Sequence, residues 1–293
     1  MVVSASRRTD IPCWYPEWFM NRLAAGFAIT RNPMNRGQIR RVSLLPADAD
    51  CFVFWTKDPG RVSEGGRSFL DVLPLLDAAG HTYYFQFTLT PYGREIERNQ
   101  RDKADVARDF ARLSARVGKE RVIWRYDPII LNADRGLTVS WHAAEFAKMC
   151  GALCRYAEAV TVSFADPYKR LKTDLVREAA PGEAAELAGR MGETARKHGL
   201  RIRACCEAAD FSELGIEKAA CVDAELIGRL AGRPLKIKKD KNQRASCNCA
   251  ESADIGAYDT CPGGCLYCYA NRGAASAEKN IALHRADGEF LVG

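Results

Sequence analysis

With 293 residues, 47% hydrophobic and 27% charged, the chain has room for a full-size core, as one large α/β domain or two small ones. No run approaches the ~18 apolar residues of a bilayer crossing, and the start, "MVVSASRRTD", lacks the apolar core of a signal peptide, so a cytoplasmic protein with no membrane partner is expected. The net charge is +6 and there are 12 cysteines; in a reducing compartment, clustered cysteines point to metal or catalysis rather than to disulfides.

Along the chain, short β-branched and aromatic runs end in a polar group and a proline: "VVSASRRTDIP", "FAITRNP", "CFVFWTKDP", "YYFQFTLTP", "VIWRYDP" and "VTVSFADP". A seventh, "LRIRACCE", ends in Cys205, Cys206 and Glu207. Proline cannot donate to a ladder, so each run reads as a strand with its polar group at the carboxyl end. Residues 34–50 fit the repeat poorly and suggest a hairpin or irregular loop. Between most runs lie stretches of helical period: "SFLDVLPLLDAAG", "RDKADVARDFARLSARVG", "SWHAAEFAKMCGALCRYA" and "EAAELAGRMGETARKHG". Strand then helix, repeated, predicts a parallel sheet, and the lengths suit a βα barrel, complete or partial, of the TIM type. The repeats occupy 1–235. A cysteine-rich segment, 236–293, is expected to pack onto the same barrel. It opens with the basic run "KIKKDKNQR", which reads as a solvated linker because no aromatic residue interleaves the charges.

Ligands gather at the carboxyl ends of parallel strands, which makes a group of candidates from Arg7, Arg8, Asp10, Arg31, Asn32, Lys57, Asp58, Thr90, Arg125, Asp127 and Asp166. About half are expected to touch a ligand, since Asp before Pro is also turn chemistry. Arg125 and Asp127, two apart on one strand, share a face and read either as ligand contacts or as an internal ion pair. Lys57 reads as an acid, a phosphate contact or a strand-end charge. Arg7, Arg8 and Asp10 suggest an anionic or zwitterionic substrate.

Near the end, "TCPGGCLYCYAN" places Cys261, Cys265 and Cys268 in C-x3-C-x2-C spacing. Three thiolates on a glycine-containing loop can hold three irons of a [4Fe–4S] cluster and leave the fourth open. Structural zinc is the alternative, though it usually takes four ligands. Cys247 and Cys249, with Cys205 or Cys206 and with Cys221, would complete a second metal site, an auxiliary iron–sulfur cluster or zinc. Cys13, Cys51, Cys150 and Cys154 read as buried packing residues.

The triad spacing, with Tyr267 before its third cysteine, resembles the signature of radical S-adenosylmethionine (SAM) enzymes. That resemblance implies a cluster whose open iron holds SAM, an aromatic residue against the adenine, hydrogen abstraction from substrate, and an electron donor such as flavodoxin or ferredoxin. It makes Tyr267, Tyr269 and Arg125 cofactor-binding candidates, and Lys57, Arg125 and Asp127 catalytic ones. "FWTKDP", "WRYDPII" and "CLYCYA" are similar to strand ends and the cluster loop of radical SAM proteins related to spore photoproduct lyase, but in circularly permuted order, with "ADIGAYD" as the displaced strand. Over nearly its whole length the chain also resembles domain-of-unknown-function family 1848, through Ser6 to Pro12, Phe54 to Lys57 and Cys247 to Ala270; that likeness favours Cys205 over Cys206. A small-molecule or peptide substrate is favoured over nucleic acid, because no strand-binding module is evident. A non-catalytic zinc or iron–sulfur protein, sensing redox state or scaffolding a partner, is the competing function.

Overall fold

The computed structural model describes residues 1–168, 171 and 173–293. Strand β1 (Val2–Ala5) leads into two short helices, α1 (Ile11–Trp14) and α2 (Pro16–Ala25), and an antiparallel hairpin, β2 (Phe27–Asn32) with β3 (Asn35–Ser43). Strands and helices then alternate: β4 (Cys51–Thr56), α3 (Leu73–Ala78), β5 (Tyr83–Thr88), α4 (Lys103–Val117), β6 (Val122–Ile129), α5 (Val139–Leu153), β7 (Ala159–Phe164), α6 (Pro181–Lys197) and β8 (Arg201–Ala204). Last come β9 (Glu217–Lys218), α7 (Ala224–Leu230), β10 (Ala253–Asp254) and α8 (Ala274–Ile281).

Eight strands form one sheet in the order β10-β1-β4-β5-β6-β7-β8-β9, and every neighbouring pair is parallel. Parallel strands are covered on both faces, so they need nearly continuous apolar runs. "CFVFWT" and "YYFQFT" supply them, each with a single residue short of full burial. The strand carrying "ADIGAYD" sits at the edge beside β1, with Val3 opposite Ala253 and Ser4 opposite Asp254, so the tail of the chain joins the sheet next to its head. Among the described residues no strand pairing joins β9 to β10. That gap is crossed instead by single bonds such as Ala250 N–H to the Val222 carbonyl, 2.9 Å.

Alternation divides the sheet into two unlike faces. Phe52, Phe54, Phe85, Phe87, Trp124, Tyr126, Val160 and Ile202 share a single apolar cluster with residues of α2 through α6. The opposite face begins apolar, where Val53, Tyr84 and Ile123 meet α7 and the segment around Cys221 and Cys249. Two or four residues further along it turns polar, at Lys57 just past β4, Gln86, Arg125 and Asp127, joined by Ser163 on β7. The helices are N-capped where the sequence places short polar side chains: Asp102 accepts from Ala104 N–H, Thr138 from Trp141 N–H and Asp223 from Leu226 N–H.

"FAITRNP" departs from the expected repeat. It forms β2, which pairs with β3 outside the large sheet and makes a single bridge from Ile29 to Phe290, and it is partly exposed where the central sheet strands are buried. The sequence over 34–50 contains its partner, β3, so the misfitting stretch and the apparent repeat are two halves of one hairpin. No helix is long and apolar enough to cross a membrane among the described residues.

Candidate active site

The polar strand ends open into one large cleft of about 2590 Å³. Its lining includes Arg7, Lys57, Arg125 and Asp127 from the sheet, Tyr267 and Tyr269, and all seven cysteines singled out from the sequence as metal ligands. Arg8, Asp10, Arg31, Asn32 and Asp166 line it too. Asp58 and Thr90 do not belong to this lining. Asp58 is fully buried and takes Arg101 at 2.5 and 2.7 Å, and Thr90 donates to Glu97, so the two are structural pairs beside the strand ends. Asp10 also serves the fold: it accepts the Cys13 and Lys57 backbone N–H groups at 2.9 and 2.7 Å, tying α1 to the end of β4. Burial raises its carboxyl to about 6 against those hydrogen bonds.

The loop carrying Cys261, Cys265 and Cys268 connects β10 to α8, and its three thiols are free and half-buried. It is held from both sides. Asn99 Nδ2 donates to the Pro262 carbonyl at 2.7 Å, Leu266 N–H to the Ile96 carbonyl at 3.0 Å, and Asn271 Nδ2 to the Cys261 carbonyl at 2.7 Å. The Tyr15 hydroxyl donates to the Thr260 carbonyl. Gly264 turns the loop with φ +65°, and a Cβ there would meet Asn99 Nδ2 at 3.1 Å, so both the conformation and the space favour glycine. Burial keeps the thiols protonated, Cys261 being pushed up to about 12 and Cys265 higher still.

Glu97, which nothing in the sequence singles out, organises this end of the cleft. Its carboxylate is fully buried and accepts from Lys57 Nζ and Thr90 Oγ1, both at 2.8 Å, and from Lys103 and the Tyr267 hydroxyl. Burial alone would raise its pKa, but the two ammonium groups hold it at about 2. Lys57 is desolvated, which opposes its charge, yet the Glu97 carboxylate carries its pKa above the ordinary lysine value. The Lys57 ammonium stands 5.5 Å from the centre of the Tyr267 ring. Tyr267 therefore presents its ring to the cleft with its phenol anchored behind, while the more exposed Tyr269 donates to the Arg7 carbonyl at 3.0 Å.

Arg125 is an internally paired cation. It reaches Asp127, whose other oxygen takes the Ser163 hydroxyl, and it donates to Gln86 Oε1 at 3.3 Å and to Cys221 Sγ at 2.7 Å. Beyond it the remaining cysteines converge. Cys205 Sγ lies 2.9 Å from Cys221 Sγ, the Cys221 and Val222 N–H groups reach Cys249 Sγ at 3.2 and 3.4 Å, and Cys247 is buried in the same cluster as Cys221 and Cys249. Donors from Cys221 and Cys247, aided by Arg7, hold Cys249 well below the usual thiol range. Cys206 turns away, toward Ser246 at 3.5 Å. Among the described residues no group of three or more His, Cys, Asp or Glu is arranged around a ready single-ion position.

No curated protein matches the chain. Among solved structures, one described as a candidate alpha-L-fucosidase from Bacteroides thetaiotaomicron VPI-5482 is similar at a TM-score of 0.23 and 10% identity, over 65% of this chain and 76% of that one. A likeness so slight bears on neither fold nor chemistry. A family model is informative: the one described as Domain of unknown function (DUF1848) matches residues 2–270, and the chain belongs to that family.

Proposed function

We propose that this chain is a radical SAM iron–sulfur enzyme acting on a small molecule or peptide, with Cys261, Cys265 and Cys268 holding a [4Fe–4S] cluster. One observation carries the reading: three free thiols on a single glycine-turned loop face the cleft at the carboxyl ends of a parallel sheet, with Tyr267 between them. The residues fit the group. Thiolates that hold different corners of a cubane stand further apart than those sharing one ion, so the absence of a single-ion cage is compatible with a cluster. The polypeptide supplies three ligands here rather than four, which leaves one metal corner for a second ligand.

When bound, the cluster and S-adenosylmethionine together supply one-electron cleavage of a carbon–sulfur bond and abstraction of a hydrogen atom. The chain's own residues position and shield. Glu97 fixes the Tyr267 phenol, so the ring forms a firm wall for a flat ligand group. Lys57 places a cation beside Cys265 and offsets the charge that ligation would leave there. Asp127, held by Arg125 and Ser163, offers a carboxylate to polar groups of the ligand, and Tyr269 marks the rim. With helices on one face and the cleft on the other, we read the sheet as an open βα barrel in circularly permuted order, β10 standing where the first strand would be. A cytoplasmic setting and a flavodoxin or ferredoxin as electron donor complete the reading.

Anaerobic incubation of the reconstituted protein with S-adenosylmethionine and dithionite tests it. Wild type is expected to release 5′-deoxyadenosine, and the Cys261→Ala/Cys265→Ala/Cys268→Ala variant none. An iron-loaded wild type that leaves S-adenosylmethionine intact overturns the proposal in favour of a redox-sensing or scaffold role. Binding to DNA that falls steeply with salt would move the substrate class to nucleic acid.

A further inference from the structure

Cys205 follows the end of β8, Cys221 lies between β9 and α7, and Cys247 and Cys249 lie in the loop before β10. Three separate pieces of chain therefore bring four cysteines to one place in the cleft wall. We infer that these four are a second metal centre, in which four thiolates enclose either one zinc ion or one iron–sulfur cluster, and that it forms independently of the Cys261–Cys268 loop.

The surroundings distinguish this quartet from cysteines that merely pack. Cys13, Cys51 and Cys150 are fully buried and receive no charged donor among the described residues. Cys221, by contrast, is faced by a guanidinium nitrogen of Arg125 at 2.7 Å, and Cys249 by two backbone N–H groups. Neutral thiols make weak acceptors for such donors, whereas metal-bound thiolates are strong ones. Two further donors nearby have no partner at all among the described residues: Arg7 Nη2 and Trp55 Nε1, each buried, with the Arg7 guanidinium 5.0 Å from the Trp55 ring and that of Arg125 5.2 Å from it. Leaving buried donors unsatisfied is costly, and a compact anion placed beside them removes the cost. Four thiolates around zinc, or around a four-iron cluster, leave two negative charges in excess, which suits this pair of guanidinium groups.

The sulfurs are crowded as they stand, with Cys205 and Cys221 only 2.9 Å apart, so metal entry requires them to spread. Cys205, partly exposed in the turn after β8, is the member of that pair with room to move, while Cys221 is buried.

Metal content of the full chain tests the inference, with a readout that does not depend on S-adenosylmethionine chemistry. The Cys261→Ala/Cys265→Ala/Cys268→Ala variant, reconstituted anaerobically with iron and sulfide and separately with zinc, is expected to retain one centre per chain. About four irons with matching sulfide identify a cluster, and about one zinc without sulfide identifies a zinc site; either result supports the inference. A folded variant, by far-ultraviolet circular dichroism, that takes up neither metal overturns it. So does a Cys205–Cys221 disulfide found by mass spectrometry in protein prepared without oxygen. Should the triple variant not fold, the comparison moves to Cys205→Ser/Cys221→Ser/Cys247→Ser/Cys249→Ser. That chain should bind about half the iron of wild type, or keep its iron and lose its zinc; metal content equal to wild type in both arms overturns the inference. Because 5′-deoxyadenosine release is scored separately, failure here leaves the catalytic reading standing, and the reverse also holds.

Discussion

The two faces of the sheet are built from the same strands and are physically opposite. On the helix side, rings pack against rings, mostly edge to face: Phe54 meets Phe19, Phe52, Phe69, Tyr83 and Phe85, with centroids 4.8 to 6.1 Å apart. On the cleft side, residues just as deeply buried are polar, Gln86 and Thr161 at 2% exposure and Arg125 at 5%. The first face is stable because it excludes water from apolar area. Polar groups on the second must each find a partner, and a fold tolerates that burden where chemistry needs the groups. The contrast teaches that strand periodicity alone sorts apolar packing to one face and buried polar groups to the other.

Deleting one ring from the helix side should have the largest effect. Phe54→Ala is expected to destabilise by about 4 kcal/mol, the lost transfer energy plus a cavity that its ring neighbours cannot fill, measured by urea unfolding. On the cleft side the largest effect belongs to Glu97→Gln, at about 3 kcal/mol, because Lys57 and Lys103 lose the charge that justifies burying them. The two losses differ in their response to pH. Glu97 has its folded pKa depressed to about 2, below the ordinary carboxyl value of 4.5, so its contribution is fully present above pH 4.5 and is lost as pH falls toward 2. The gap between wild type and Glu97→Gln should therefore shrink through that window, while the Phe54→Ala gap should hold. Equal behaviour of the two variants would erase the distinction between the faces.

Much of the helix side was legible in the sequence. Apolar β-branched and aromatic runs with proline endings marked β1 and β4 to β7, and helical period marked α4, α5 and α6, because burial generates both patterns. The same reading misled at "FAITRNP", since a hairpin strand can carry the same kind of run and proline ending, and only its pairing partner tells them apart. Helix α2, "PEWFMNRLAA", went unremarked, as did α7. On the cleft side, cysteine spacing pointed to the loop, and the sequence proposed that Cys247, Cys249, Cys221 and either Cys205 or Cys206 would meet; the structure sets Cys205 beside Cys221 and the Cys221 N–H against Cys249, and turns Cys206 toward Ser246. Glu97 stayed hidden. It lies in "REIERNQRDK", a run that looks like a solvated charged surface; Thr90 and Lys103 stand seven and six residues away in the chain, while Lys57 and Tyr267 come from far along it. A carboxylate that gathers donors from both flanks of a loop and from distant segments shows no regular local spacing to read.

The smallest of these effects is the most discriminating. Tyr267→Phe keeps the ring against the cleft and removes only the hydroxyl that donates to Glu97. Glu97 retains Lys57, Lys103 and Thr90, and phenylalanine introduces no unpaired polar atom, so the loss should be about 1 kcal/mol rather than the full value of a charged hydrogen bond. In a chain of this size that corresponds to a fall in Tm of roughly 2 °C. If the variant instead loses as much as Glu97→Gln, the phenol itself holds the buried charges in register, and the cleft side is one cooperative unit rather than a carboxylate with exchangeable donors. With the smaller loss, Glu97 is the fixed point and Tyr267 is what it positions, which is the order of dependence that an aromatic wall for a bound ligand requires.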